Sequence, residues 1–166
     1  TGALANALSR WPYATVAAPG RARVLQRQHQ DPGEIGRTLQ ARYLVEGEVA
    51  PRGGKLVVAT RVIDAETGQQ FWGSELEPPP GAGSDERELL QMRVISRVRR
   101  VLFSALVEQW RRLPDQTPEA LVAGGLNAWS NNDNTGWREA SEFFNRALQV
   151  DPRFGEAILM RGLVLQ

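Results

Sequence analysis

A glycine pair followed by a lysine, at residues 53–55, could belong to a phosphate-binding loop. In the loop that cradles nucleotide phosphates, Gly-Lys is preceded by a further glycine and followed by a hydroxyl residue that holds magnesium. Here Val49 stands where the earlier glycine is needed, and Leu56, which follows Lys55, has no hydroxyl. Because runs with a period near two flank Gly53 and Gly54, we predict a tight β-hairpin turn and not a phosphate site.

The only histidine, His29, lies in the polar stretch "RQHQD". One histidine cannot supply a two-histidine metal site, and nothing near it in the sequence suggests pairing with a nucleophile such as Ser9. We therefore expect a solvated surface residue, with a catalytic role as the alternative. The chain has no cysteine, which removes thiol catalysis, disulfides and thiolate metal sites.

The segment "NNDNTGWREASE" has the spacing of a calcium-binding loop. Such a loop needs oxygen ligands at positions 1, 3 and 5, glycine at 6 and glutamate at 12. Counted from Asn131, these positions hold Asp133, Thr135, Gly136 and Glu142. An asparagine at the first position removes negative charge where calcium most needs it. The sequence therefore favours a plain loop between two helices, and calcium binding is the alternative.

Arginines on one predicted helix could bind phosphates. Arg93, Arg97 and Arg100 lie on one side of a long helical pattern. No lysine or aromatic residue is interleaved with them, and acidic residues open the same helix. We expect a solvated face that also shields the apolar stripe of the helix, and a phosphate-binding strip is the alternative.

Three tryptophans late in the chain, Trp110, Trp129 and Trp137, could line a pocket. The alternatives are core packing and an aromatic pocket at a junction of two subdomains, where ligands often bind. Trp110, Trp129 and Asp133 are the candidate residues for a small-ligand or partner site near that junction.

Composition limits the classes of protein that fit. The chain has 166 residues, 42% of them hydrophobic, and a formal net charge of +1. This length suits one domain or two small subdomains, and the balanced charge gives no reason to expect nucleic acid or a membrane as partner. No apolar run approaches the ~18 residues that a membrane span needs. The chain opens on Thr1 and stops inside an apolar helical pattern, so we expect a fragment of a longer protein, with any anchor or signal peptide outside it.

The predicted elements follow from apolar periodicity. "GALANALSR" predicts a short helix, "YATVAAP" a brief strand that ends at Pro19 and Gly20, and Asp31 with Pro32 the start of a further helix. Residues 43–50, 55–64 and 69–77 predict a three-stranded antiparallel meander, with Gly68 in its second turn.

The second half of the sequence is predicted to be helical. "PPPGAGS" is a connector, and a long helical pattern follows from Asp85 to Arg112 before "PDQTP" breaks it. Two helices around the polar loop "NNDNTG" and the start of a third complete the chain. The apolar stripe of the long helix is Leu90, Val94, Val98, Val101, Ala105 and Leu106.

Residues 118–166 resemble tetratricopeptide repeats. One helix carries the small, aromatic and small positions of the repeat, Pro152 follows where the repeat closes, and the next helix carries its large, glycine and large positions. The preceding helix matches at Leu121 and Gly125 if its loop is longer than usual. The resemblance implies paired helices that need neighbours to bury their faces. The matching positions are Ala140, Phe144 and Ala147, then Ile158, Gly162 and Leu165.

Residues 3–77 resemble the TolB-like amino-terminal domain, which precedes tetratricopeptide repeats in bacterial class III adenylate cyclases and CadC-type winged-helix transcriptional regulators. The matching pieces are "ALANALSR", "EIGRTLQARYLVEGEV" and "VVATRVIDAETGQQFW", followed by a long helix. The sequence departs from the family in two places. The opening apolar strand is missing, and "GSELEPPPGAG" replaces a run rich in tyrosine and arginine. The resemblance implies no catalytic residue here, since the output domain lies elsewhere in those proteins.

Together these observations predict an α+β fold. We expect a TolB-like α/β domain over residues 1–77, a linker over 78–84, a long connecting helix over 85–113 and a repeat-like helical region over 117–166. The expected function is noncatalytic sensing or protein interaction within a larger bacterial signalling or transcriptional regulator, without cofactor or metal.

The expected partner is a protein or peptide, or a small ligand, and not nucleic acid. A second copy of this chain is a further possible partner, since the missing opening strand would leave an exposed sheet edge where another chain can pair. The expected location is the periplasmic side of a single-pass membrane protein, with membrane contact only through an anchor outside the segment. The alternative is an envelope-assembly or scaffolding adaptor that docks partners through the repeat groove and the sheet edge. An enzyme would require an activity that is lost in His29→Ala.

Overall fold

The computed structural model describes residues 2–11, 14–28, 31–53, 55–78, 85–130 and 134–164. Within them it contains one three-stranded antiparallel sheet and seven helices, so the predicted α+β class is confirmed. The chain divides into two compact units, Thr1–Val101 and Leu102–Gln166. The division falls inside the long helix, which therefore contributes residues to both units.

Three short helices open the first unit: α1 (Gly2–Ser9), α2 (Pro19–Arg27) and α3 (Pro32–Leu39). The start of α3 is the predicted one. The Asp31 carboxylate accepts a hydrogen bond from the Gly33 N–H at 3.0 Å, and Pro32 occupies the first turn. The helix ends at Leu39, and Gln40, which follows it, has a left-handed φ of 52°. Local signals were sufficient here because the cap and the proline act on neighbouring backbone.

The strand predicted over residues 13–19 is wrong in its described part. Residues 14–18 form no strand, and Pro19 is the first residue of α2. A strand needs a partner strand, and the sheet in the described residues consists of β1, β2 and β3, from Tyr43 to Leu76. Proline has a fixed φ and no N–H, which suits the first turn of a helix, so Pro19 starts an element where we expected it to end one.

The predicted meander is confirmed, with strands β1 (Tyr43–Arg52), β2 (Lys55–Asp64) and β3 (Gln69–Leu76) in the order β1-β2-β3. In the first hairpin Arg52 is opposite Lys55, and Gly53 has the positive φ of 56° that the tight turn requires. Gly54 lies outside the described residues. Gly68 has a φ of 70° in the second turn. Gly53 therefore lies in a strand-to-strand turn, and Lys55 is the first residue of β2.

The central strand β2 supplies much of the sheet's buried surface. Thr60 and Val62 are buried on one face, and Val57 and Ile63 are buried on the other. A β-bulge between Val62 and Ile63 shifts the pairing with β3. Burial on both faces explains why this strand is rich in Val and Ile.

The long helix α4 spans Glu86–Trp110. The first half of its apolar stripe is as predicted, since Leu90, Val94 and Val98 are buried. The second half differs, because the row at spacing four continues to Leu102. Beyond it, Val107 and Trp110 are buried, whereas the predicted residues are only half-buried. These half-buried residues are Val101, Ala105 and Leu106.

The second unit adds α5 (Pro118–Trp129), α6 (Asn134–Val150) and α7 (Gly155–Val164). Thr117 caps α5, because its Oγ1 accepts a hydrogen bond from the Ala120 N–H at 3.2 Å. The fully buried residues of this unit lie on facing sides of α5, α6 and α7. They are Val122, Ala123, Ala140, Phe144, Ala147 and Ala157.

No helix in the part of the chain that the structure describes is long and apolar enough to cross a membrane.

Candidate functional site

Two glycines of α5 lie directly against two aromatic rings of α6. A Cβ atom placed on Gly124 would be 2.8 Å from Cε1 of Phe143, and one placed on Gly125 would overlap the ring of Phe144. Phe144 is fully buried, as are Ala140 and Ala147 on the same side of α6. Because Gly124 and Gly125 have no side chains, and Ala140 and Ala147 have small ones, the two helices can approach closely.

Helix α7 has a packed face and an open face, and both carry apolar residues. On the packed side Ala157 is fully buried. On the other side Ile158, Leu159 and Leu163 are 49%, 57% and 44% exposed. A Cβ atom on Gly162, between them on the helix surface, would meet nothing within 4 Å. We call the surface formed by Ile158, Leu159, Gly162 and Leu163 the outer face of α7.

The outer face of α7 repeats a pattern that α5 uses for packing. In α5 a large apolar residue, Leu121, precedes Gly125 by four positions, and in α7 Ile158 precedes Gly162 by four. Leu121 is only 2% exposed and Gly125 lies under the Phe144 ring, whereas Ile158 is 49% exposed and Gly162 is open. Thus α6 covers the pattern on α5, and no described residue covers it on α7.

The structure gives Trp110 a packing role. Trp110 is buried, and its ring lies 6.2 Å from Phe103 at 85° and 5.9 Å from Phe154 at 58°. These tilted and edge-on arrangements are favourable for aromatic pairs. Trp129 is the half-buried last residue of α5, and Trp137 on α6 is 42% exposed. Asp133 lies outside the described residues, so a site formed by Trp110, Trp129 and Asp133 stays a prediction.

The described part of the calcium-loop segment is helical. Because α6 begins at Asn134, Thr135, Gly136 and Glu142 lie on a helix, whereas a calcium loop needs its glycine in a sharp turn. Asn131 and Asp133 lie outside the described residues. No group of three or more His, Asp or Glu side chains within the described ranges could hold a metal ion.

His29 lies outside the described residues, and the arginines of α4 have mixed roles. Arg93 donates a hydrogen bond to the Glu77 carbonyl at 2.9 Å, while Arg97 is exposed. Arg99, which the sequence did not single out, donates to the Ala7 carbonyl at 3.1 Å and so connects α4 with α1. Arg93 thus contacts the backbone just after β3, and Arg99 contacts the backbone of α1.

A shallow depression lies on one face of the sheet, near the first hairpin. Its volume is about 50 Å³, and its lining includes Glu48, Arg52 and Glu75. Arg52 Nη1 and Glu75 Oε2 form an ion pair at 2.9 Å. A space of this size holds a few water molecules, whereas pockets for organic ligands are roughly 300–1,000 Å³.

A buried carboxyl group on α7 is the most perturbed acid of the described chain. Glu156 is only 4% exposed, and its Oε2 is buried without a hydrogen-bond partner. Burial raises the pKa of Glu156 to about 7, although its own backbone N–H acts in the opposite direction. Sequence reasoning missed this residue because an acid in the first turn of a helix is usually exposed there, where it suits the helix dipole.

No family model matches the chain, and no curated protein matches it either. The resemblances to the TolB-like domain and to tetratricopeptide repeats therefore stay predictions.

Proposed function

We propose that this chain is a noncatalytic protein-interaction region of a larger bacterial regulator, and that the outer face of α7 binds an amphipathic helix of a partner protein. The open apolar surface at Ile158, Leu159 and Leu163 carries this proposal. Covering each of these half-exposed side chains is worth about 1 kcal/mol, roughly half the value for full burial. Three neighbouring side chains on one helix therefore supply a useful part of a binding free energy.

The packing of α6 on α5 supports the helical nature of this partner. Gly125 accepts the ring of Phe144, and Ala140 and Ala147 flank that ring one turn away on either side. Gly162 offers the same open position four residues after Ile158. A helix that presents an aromatic residue between two small ones fits this surface, with the ring over Gly162.

The regulatory setting comes from the sequence resemblances. A TolB-like domain followed by repeat helices implies sensing or scaffolding in a bacterial signalling or transcriptional regulator, with the output domain elsewhere in the protein. This setting favours the periplasmic side of a single-pass membrane protein. Trp110, Trp129 and Asp133 are the proposed residues for a small ligand in the sensing version of this role.

The sheet edge is the less suitable docking surface. Among the described residues β1 pairs only with β2, and its Val49 is 60% exposed. However, Glu46 and Glu48 place charge on this strand, and Pro51 has no N–H to donate to an added strand. Charges and prolines of this kind discourage edge pairing, so an adaptor that docks through the sheet edge is the second candidate.

Binding of a synthetic α6 peptide tests the proposal. A fluorescent peptide of residues 134–150 presents Ala140, Phe144 and Ala147 at the required spacing. We expect it to bind the 166-residue chain in fluorescence anisotropy, and to lose at least about tenfold in affinity for Leu159→Ser/Leu163→Ser, since about 1.4 kcal/mol is tenfold.

The matched control is Val24→Ser, which removes an exposed apolar side chain from α2, a helix that buries none of its residues. Affinity of this variant should equal that of the unchanged chain. Absence of peptide binding, or equal affinity for the double variant and the control, would contradict the proposed role of the outer face.

A further inference from the structure

Glu156 lies where a charged group is difficult to accommodate. It is the second residue of α7 and precedes Ala157, which is fully buried. Only 4% of the residue is exposed, and Oε2 is buried without a hydrogen-bond partner. An ionised carboxylate buried without a counter-charge is costly, whereas a neutral carboxylic acid is tolerated far better.

The charged groups of the surrounding elements do not compensate Glu156. Helix α5 offers Glu119, itself acidic, and the charged residues of α6 are exposed. At the end of α4, Glu108 pairs with Arg111, the residue after the helix, at 3.2 Å, and on α7 itself Arg161 is exposed. No ion pair between described residues includes Glu156. The exposed charged residues of α6 are Arg138, Glu139, Glu142 and Arg146.

We propose that Glu156 makes the packing of α7 against α5 and α6 depend on pH: the helix is held while Glu156 is a neutral acid and loosens when it ionises. The consequence for partner binding rests on the proposed function, because α7 carries the outer face. Partner binding would then be strongest in mildly acidic conditions and weaker above neutral pH.

The direction follows from the two states of the carboxyl group. Its pKa is raised from the ordinary 4.5 to about 7 in the packed state. Below 4.5 the acid is neutral in both states and pH has no effect. Between pH 4.5 and pH 7, Glu156 is ionised in the loosened state but still neutral in the packed state. The equilibrium constant for loosening therefore rises about tenfold per pH unit. Above 7 both states are ionised and the effect is constant.

Hydrogen–deuterium exchange of the α7 amides in the 166-residue chain tests this device. After correction for the intrinsic exchange rate, protection should fall about fifteenfold between pH 5.5 and pH 7, where half of the packed state is itself ionised. Glu156→Gln keeps the shape of the neutral acid and cannot ionise, so its protection should be independent of pH. The matched control Glu142→Gln, an exposed acid on α6, should retain the full pH dependence.

A titration of the unchanged chain keeps the proposal testable if Glu156→Gln fails to fold. The carboxyl carbon of Glu156, followed by NMR, should titrate with a midpoint near 7. A midpoint near 4.5, or equal pH dependence of α7 protection in Glu156→Gln and the unchanged chain, overturns the proposal.

These measurements use no peptide, so they separate the two proposals. If the α6 peptide does not bind but the protection of the α7 amides still depends on pH, only the proposed function is contradicted. If the peptide binds but the protection of the α7 amides does not depend on pH, only the proposed role of Glu156 is contradicted.

Discussion

Helices α5 and α7 share an apolar–glycine spacing but differ in what lies against it. On α5 the spacing from Leu121 to Gly125 is covered by α6, and Leu121 is 2% exposed. On α7 the same spacing from Ile158 to Gly162 is open, and Ile158 is 49% exposed. The comparison teaches that the pattern specifies a surface on which a helix can pack, while the presence of that second helix decides whether the surface is core or interface.

The largest expected effect comes from the ring that covers α5. Phe144→Ala removes a fully buried side chain and leaves a cavity above Gly125, so the free energy of unfolding should fall by about 4 kcal/mol in urea titrations. Leu159→Ala, at a position 57% exposed on the outer face of α7, should cost less than about 1 kcal/mol. Similar losses in both variants would mean that α5 and α7 are equally covered.

The corresponding glycines of α5 and α7, Gly125 and Gly162, give the most direct comparison. The expected change in the free energy of unfolding is somewhat smaller. Gly125→Leu places a side chain into the Phe144 ring, and we expect a loss of about 3 kcal/mol from overpacking. Gly162→Leu meets open space, and the better helix propensity of leucine should leave stability unchanged or raise it by about 0.5 kcal/mol.

Urea unfolding of the two glycine variants checks this difference. Equal destabilisation would show that Gly162 is covered in solution, for example by a second copy of the chain. Sedimentation of the Gly162→Leu variant and of the unchanged chain would then reveal the change in association state.

The smallest expected effect concerns the start of α5. Thr117→Ala removes the hydroxyl that accepts from the Ala120 N–H, and the free energy of unfolding should fall by about 1 kcal/mol. Thr117→Ser keeps the oxygen and should restore most of that loss. Thr135→Ala, which changes an exposed threonine on α6, is the control and should change stability by less than about 0.5 kcal/mol. A loss in the control as large as that of Thr117→Ala would remove the cap as the cause.

Local signals predicted much of the fold. Asp31 and Pro32 start α3, Gly68 supplies a positive φ in a turn, and runs with a period near two form the meander. These features act through neighbouring backbone or through a short hairpin, so sequence spacing carries them. The strand predicted near Pro19 failed because pairing depends on residues far along the chain.

The candidate site was less predictable than the fold. Nothing in the sequence distinguishes Gly125 from Gly162, or shows that Glu156 is buried, since each depends on which helix lies opposite. Arg99 contacts the Ala7 carbonyl across 92 positions of sequence, and no local pattern indicates such a contact. From the sequence, core packing and a ligand pocket were both open for Trp110, and its contacts with Phe103 and Phe154 explain its burial through packing.

The sequence by itself determined the α+β class, the order of the main elements and the surfaces they could present. Its apolar periods and turn residues act over a few positions, which is why they can be read without coordinates. Tertiary structure alone decided which of two similar helix surfaces is covered and which carboxyl group loses contact with water. Those outcomes depend on long-range packing, because burial is set by the neighbouring elements and not by the residue itself.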